Sequence, residues 1–172
     1  MVFYGRQFGC CEVIMVGIVN EDSRDYLIEP AAWRDLKALD GLEKSCFGED
    51  AWSLLELLGL LVFPGVVRLK AAVDGAMVGF IAGDPRRNEK TGWILTLGVL
   101  PDWRRHGIAE ALLSECEQNM GMPLVKLTVR RGNVPAIHLY EKLGYTQVDI
   151  WSRYYHNGED GLVLEKKLTQ TS

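Results

Sequence analysis

The chain has 172 residues, 48% of them hydrophobic and 24% charged, with a net charge of -4 and a pI near 5.4. That length suits one domain with a sizeable core, and the acidic balance argues against nucleic acid as the main partner. No apolar run is long enough to span a bilayer and no basic leader precedes Val13–Val19, so no membrane partner is expected and the cytoplasm is the expected location.

Residues 1–24 look unlike the rest and are read as a leader, either loose or adding an extra strand; residues 25–172 form the domain. Tyr26–Glu29 is the first clean strand. Ala31–Phe47 reads as a helix, because Trp33, Leu36, Leu39, Leu42 and Cys46 recur at three- or four-residue spacing. Gly48–Asp50 breaks it, and Trp52–Leu61 reads as a second helix ended by Pro64-Gly65. Val66–Val73 and Met77–Ala82 read as a hairpin joined through Asp74-Gly75. Pro85–Lys90 is expected to be a polar loop, and Trp93–Val99 a mostly apolar central strand.

Gly107–Met120 reads as a helix with Ile108, Leu112, Leu113, Cys116 and Met120 inward. Leu124–Arg130 alternates, with Val125, Leu127 and Val129 on one side. Val134–Leu143 is a helix capped by Asn133 and ended by Gly144. Tyr145–Trp151 and Gly161–Leu168 are the last strands, around a polar turn at His156–Asp160. This order describes a mixed α/β sheet with helices on both faces. The four cysteines, Cys10, Cys11, Cys46 and Cys116, form no C-x-x-C pair and no histidine cluster accompanies them. No metal is expected, and a reducing compartment fits best.

The chemistry concentrates in two stretches. Leu95–Leu113 runs from an apolar strand through Pro101 into Arg104-Arg105-His106-Gly107-Ile108-Ala109 and directly into a helix. A helix start exposes unpaired N–H groups and the positive end of its dipole. Gly107 and Ala109 let an anion approach the backbone, and two arginines add charge. The stretch reads as a pyrophosphate cradle; taken alone it equally fits a plain strand–turn–helix connection. In Leu127–Tyr145, Asn133 and Tyr140 lie seven residues apart, about two turns, on one helical side. Taken alone they fit a helix cap and a core ring better than a catalytic pair.

Together the stretches resemble the GNAT superfamily of N-acetyltransferases: Arg-x-x-Gly-x-Ala at Arg104–Ala109, then Asn133-x-x-Ala136 followed by Tyr140-Glu141-Lys142-Leu143-Gly144-Tyr145. The resemblance covers roughly Tyr26 to Leu168. It implies an α/β (α+β) GNAT fold, a mixed, mostly antiparallel seven-stranded sheet with about four helices on its two faces and with the fourth and fifth strands splayed. It implies acetyl-CoA as co-substrate and no metal. The pantetheine would lie along Leu97, Gly98 and Val99, with Gly98 suiting a local bulge. The pyrophosphate would sit among Arg104, Arg105, His106, Gly107, Ile108, Ala109 and Glu110. Asn133 and Ala136 would meet the pantetheine arm, and Tyr140 would stand near sulfur as general acid; Asn133 and Tyr140 are the catalytic candidates.

Within the superfamily the chain looks most similar to protein N-terminal acetyltransferases, including the ribosomal-protein alanine type. Leu42–Ser53, Trp93–Gly98 and Arg153–Leu168 carry that likeness. It makes Phe47, Trp52, Tyr154 and Tyr155 acceptor-site candidates, with Trp93 and Thr128 beside them. One departure matters: Thr128 and Trp93 stand where relatives carry base residues, and neither is a base at neutral pH. An α-amine, with a pKa of about 7.7–8.0, is roughly a tenth neutral at pH 7, whereas a lysine amine at about 10.4 costs about 4–5 kcal/mol to deprotonate. This favours an α-amine, with water at Thr128 or Thr96 relaying the proton. The expected acceptor is a protein or peptide N-terminus, and the expected assembly a monomer or homodimer. Two alternatives stay open: a small-amine acetyltransferase, and a non-catalytic acyl-CoA sensor.

Overall fold

The computed structural model describes residues 16–17 and 25–168. The leader expected over residues 1–24 lies outside the described residues except at Val16–Gly17, a two-residue strand (β1) paired with the next. Then come β2 (Leu27–Pro30), α1 (Leu36–Phe47), α2 (Leu54–Val62), β3 (Val67–Val73), β4 (Ala76–Arg86) and β5 (Thr91–Val99). The chain continues through α3 (Ile108–Met120), β6 (Leu124–Arg130), α4 (Val134–Lys142), β7 (Thr146–Trp151) and β8 (Gly161–Lys167). The strands form one sheet in the order β1-β2-β3-β4-β5-β6-β8-β7. Every pair is antiparallel except β5–β6. The seven expected strands are β2–β8, so the expected fourth and fifth are β5 and β6.

Two apolar clusters hold the layers together. On one face Leu39 and Leu42 of α1 and Leu57, Leu60 and Leu61 of α2 cover Phe80 and Ala82 of β4. On the other, the inward face of α3 (Ile108, Leu112, Leu113, Cys116, Met120) packs on Ile81, Ile94, Val125, Leu127 and Val129, with Tyr140 of α4 joining it. Burying each such large side chain contributes about 1.5–3 kcal/mol. α3 lies very close to the sheet: a Cβ at Gly83 would stand 2.6 Å from Met120 Sδ and 2.8 Å from Cys116 Sγ. Among the described residues no helix is long and apolar enough to cross a membrane.

Four expectations need correction. Trp33 is not on the inner face of α1. It lies in a 3-10 turn, Trp33–Asp35, and is 70% exposed, because the helical face begins only at Leu36. Trp52 precedes α2 rather than belonging to it. Ser53 caps that helix, accepting from Glu56 N while the Glu56 carboxylate accepts from Ser53 N. Pro85 is in a strand: β4 runs to Arg86, Pro85 pairing with Gly92. β3 stops pairing at Val67–Gly83, so beyond that point one edge of β4 is free and a residue without an N–H is tolerated. Finally, Gly98 is not the bulge. Ala82 pairs with Thr96 and Gly83 with Ile94, so the extra residue on β5 is Leu95.

Gly98 serves close packing instead. A Cβ there would lie 2.9 Å from Leu42 Cδ2 and 3.3 Å from both Cys46 Sγ and Phe47 Cε2. The missing side chain lets the end of α1 sit directly on β5.

Candidate active site

The site is built where β5 leaves β6. The two strands pair only at Thr91–Leu124, Gly92–Val125 and Trp93–Lys126, and then diverge. From Ile94 to Val99 the β6 side of β5 has no strand partner. An unpaired main-chain edge beside a buried core is a row of hydrogen-bonding groups open to a ligand. Leu97 lies half-buried on this edge, and Gly98 and Val99 are buried. The Val99 carbonyl is already engaged, by Arg104 Nε at 3.2 Å and Cys46 Sγ at 3.4 Å.

That edge leads into the turn before α3. Arg105 (φ 64) and Gly107 (φ 77) both adopt the left-handed conformation, which swings the chain into the helix at Ile108. A Cβ at Gly107 would meet only the Tyr26 hydroxyl, 3.9 Å away, so the space over the helix start is open. Arg104, Arg105 and Gly107 are exposed, while Ala109 and Glu110 are partly buried. His106 is held by Nδ1 against the Arg104 carbonyl, 2.9 Å, and lies 6.2 Å from the Trp103 ring. Glu110 is paired with Lys142 of α4 at 2.9 Å, which removes an unopposed negative charge from the first turn. Free N–H groups, a positive dipole end and two guanidinium groups fit a polyanionic phosphate group. The Ile108 side chain is buried and anchors the turn.

On α4, Asn133 caps the helix, its Oδ1 accepting from Ala136 N at 3.3 Å, and its side chain is exposed. Ala136 packs partly against the core. The Tyr140 ring is buried, edge-on to Tyr145 at 5.7 Å, and burial, with Tyr155 nearby, pushes its phenol well above the usual range.

A chain of aromatic rings runs from the start of β5 to the β7–β8 hairpin. Trp93 stacks on Trp151 at 5.7 Å, Trp151 meets Tyr154 at 5.2 Å, and Tyr154 meets Tyr155 at 5.1 Å. Arg86 covers the Trp93 ring and Arg130 the Tyr155 ring, 4.0 Å from its centroid. Burial and Tyr154 push the Tyr155 phenol up to about 12 against the pull of Arg130, so it stays neutral at neutral pH. Thr128 is half-buried on β6, its methyl sharing with Tyr154 the space over Gly161. Phe47 and Trp52, both half-buried, stand at the ends of the loop joining α1 to α2.

Two side-chain groups here were missed from sequence. Arg130 binds Asp50 of the α1–α2 loop and, at 2.7 Å, Glu159 of the β7–β8 turn. Glu159 in turn accepts from Gly132 N at 2.7 Å. One guanidinium thus joins both walls around Thr128. Glu43 of α1 is 1% exposed and accepts from Thr96 Oγ1 of β5 at 2.8 Å. A glutamate inside an otherwise apolar helix face is the one local signal that marked it. Among the described residues no group of His, Cys, Asp and Glu is arranged to hold a metal.

The model of the acetyltransferase (GNAT) family matches residues 32–145. The catalytic subunit NAA10 of the N-terminal acetyltransferase A complex of Arabidopsis thaliana is 32% identical over 148 residues, covering 82% of this chain and 77% of that protein. The L-amino acid N-acetyltransferase AaaT of Escherichia coli is 31% identical over 103 residues, 56% of this chain and 64% of that protein. In fold, the ribosomal-protein-S18-alanine N-acetyltransferase of Escherichia coli superposes with a TM-score of 0.76 at 24% identity, covering 86% of this chain and 96% of that one.

Proposed function

Because the chain belongs to the acetyltransferase (GNAT) family of N-acetyltransferases that use acetyl-CoA, we propose that its acceptor is the N-terminal α-amine of a protein or peptide. The observation that carries this reading is the Arg130 bridge between Asp50 and Glu159. It holds the Phe47–Trp52 loop and the Tyr154–Tyr155 hairpin as two walls, with aromatic surface suited to the first residues of an extended peptide.

In this reading acetyl-CoA enters along the open edge of β5, with its phosphates at the start of α3 among Arg104, Arg105 and Gly107. The neutral amine attacks the thioester carbonyl carbon, an N–C bond forms, and the C–S bond breaks. A main-chain N–H of β5, assigned to Leu97, stabilises the oxyanion. Tyr140 gives its proton to the departing sulfur. Its raised pKa keeps it protonated at neutral pH, the state a general acid needs, and makes the transfer more uphill than from a free phenol. Asn133 steadies the pantetheine arm.

The likeness to an amino-acid acetyltransferase favours one second reading, a small free amine as acceptor. A panel of short peptides with free or blocked N-termini, free amino acids and polyamines, with released CoA measured, separates the two. The expected result is turnover on free N-terminal peptides and none on the blocked ones. Turnover confined to amino acids or spermidine overturns the peptide assignment.

A further inference from the structure

Thr128 of β6 and Trp93 at the start of β5, which stand where the resemblance would put a base, cannot act as one at neutral pH. The α1 face of the sheet holds a carboxylate instead. Glu43 faces the sheet with Leu39 and Leu42, and its Oε1 accepts from Thr96 Oγ1, 53 residues away in sequence. Its Oε2 is buried without a hydrogen-bond partner, the nearby Trp52 N–H serving the carboxylate only weakly. Burying an ionised carboxylate this incompletely satisfied costs several kcal/mol, so the arrangement is a poor way merely to fasten a helix.

Its position is also specific. Thr96 lies next to the bulged residue Leu95 and to Leu97, in the stretch of β5 that β6 has left. Trp52, whose main chain approaches the same carboxylate, ends the loop that forms one acceptor wall. Glu43 therefore reaches, on the sheet face that also carries the α1–α2 loop, the strand over which the acceptor is read to bind.

We propose that Glu43 is the proton acceptor for the attacking amine, reached through the Thr96 hydroxyl. The ammonium nitrogen gives one proton to Thr96 Oγ1, directly or across one water, as Thr96 passes its own proton to Glu43 Oε1. The neutral amine then attacks. The second proton that nitrogen loses after attack replaces the one Tyr140 gives to sulfur. Glu43 returns its proton to solvent after product leaves, so one proton is released per turnover. Burial, opposed by the Thr96 hydrogen bond and the Trp52 N–H, raises the Glu43 pKa from its ordinary value, towards the range where a base works best near neutrality.

The charges around Glu43 leave it unneutralised. β5 contributes Thr96, and the apolar contacts of α1 on β4 and α2 are Phe80, Ala82, Leu57 and Leu60. Asp84 and Arg86 of β4 pair with each other, and Glu56 of α2 caps its own helix. Asp35 is tied to Lys70 and Asp50 to Arg130, while Arg34 and Glu49 are exposed. On α1 itself Lys44 pairs with Asp40, and the half-buried Cys46 thiol, raised by burial, stands between Glu43 and Arg104, whose Nε is spent on the Val99 carbonyl.

This inference rests on the N-acetyltransferase reading with the acceptor over β5. Its test uses whichever amine the panel shows to be turned over, so failure of the peptide assignment is seen separately. With an α-amine acceptor, Glu43→Gln is expected to lower kcat/KM about 10²-fold at pH 6.5. At pH 9 more than about nine-tenths of the amine is already neutral, and the loss should shrink to a few-fold, with acetyl-CoA affinity unchanged throughout. Thr96→Val should show the same pH-dependent loss and Thr96→Ser should restore activity; this pair carries the test if Glu43→Gln does not fold. A loss of equal size at every pH, activity intact at pH 6.5, or Thr96→Ser no better than Thr96→Val overturns the proposal. So does an unmutated protein that acetylates no amine, which overturns the acceptor reading with it.

Discussion

At the scale of single residues, Glu43 sits where a carboxylate is costly to keep, and that cost has a pH signature. Its folded-state pKa is raised, chiefly by burial, above the ordinary 4.5. The native state therefore binds the proton more tightly than the unfolded chain does. Stability from this group is full below about 4.5 and is lost as pH rises through the higher folded value. Glu43→Gln removes that slope. Urea melts are expected to show the variant at least as stable as the unmutated protein at pH 7, with its relative advantage shrinking as pH falls towards 4.5. A stability difference that does not vary with pH would show that the carboxylate is not strained by its site. Other buried groups behave as structure: Glu117 accepts from Tyr145 Oη and from Lys166 Nζ, both at 2.7 Å, and burial pushes the Cys116 thiol up to about 12.

At the scale of elements, the α1–α2 loop, the end of β6 and the β7–β8 hairpin act together through Arg130. Its partners Asp50 and Glu159 lie 80 and 29 residues away. All three side chains are partly exposed, so the bridge contributes modestly to stability and mainly fixes the spacing of the two walls. Arg130→Gln is expected to lose about 1–2 kcal/mol of stability and to raise KM for a peptide acceptor about tenfold, or about 1.4 kcal/mol, with acetyl-CoA affinity unchanged. Steady-state kinetics with each substrate varied in turn check this; an unchanged peptide KM would remove Arg130 from the acceptor site.

The same elements show what the sequence made legible. The Asp74-Gly75 turn, the inward stripe of α3 and the alternation of β6 are local patterns, and each appears where its periodicity predicts. The family's paired motifs coincide with the turn into α3 and with α4. The Ser53-x-x-Glu56 box was a readable sign that α2 starts at Leu54. Pro85 and Trp33 misled because tertiary context, a free strand edge and a 3-10 entry, overrode local preference. Glu43–Thr96 and Asp50–Arg130–Glu159 join residues far apart in sequence, and no periodicity records such pairings.

At the scale of the whole molecule, one sheet carries two layers whose cores are separate, and β5 and β6 part between them, where the reaction site is proposed. α1 presses on β5 at Gly98 from one face, and α3 presses on Gly83 from the other. The close fit of α3 is what aims its N-terminus at the end of the open edge. Although the chain is acidic overall, with a net charge of -4, Arg104 and Arg105 stand exposed at that point. Local charge and free amides, not net charge, govern the binding of a phosphate-bearing co-substrate. Gly107 is the position to probe, because Asn and Asp both tolerate its left-handed backbone and differ from each other by one charge. Calorimetric titration of acetyl-CoA into the unmutated protein, Gly107→Asn and Gly107→Asp should give saturable binding for the first, with the Asp variant at least about tenfold weaker than the Asn variant. Equal affinities for the two variants, or no binding by the unmutated protein, would contradict the placement of the phosphates at the start of α3.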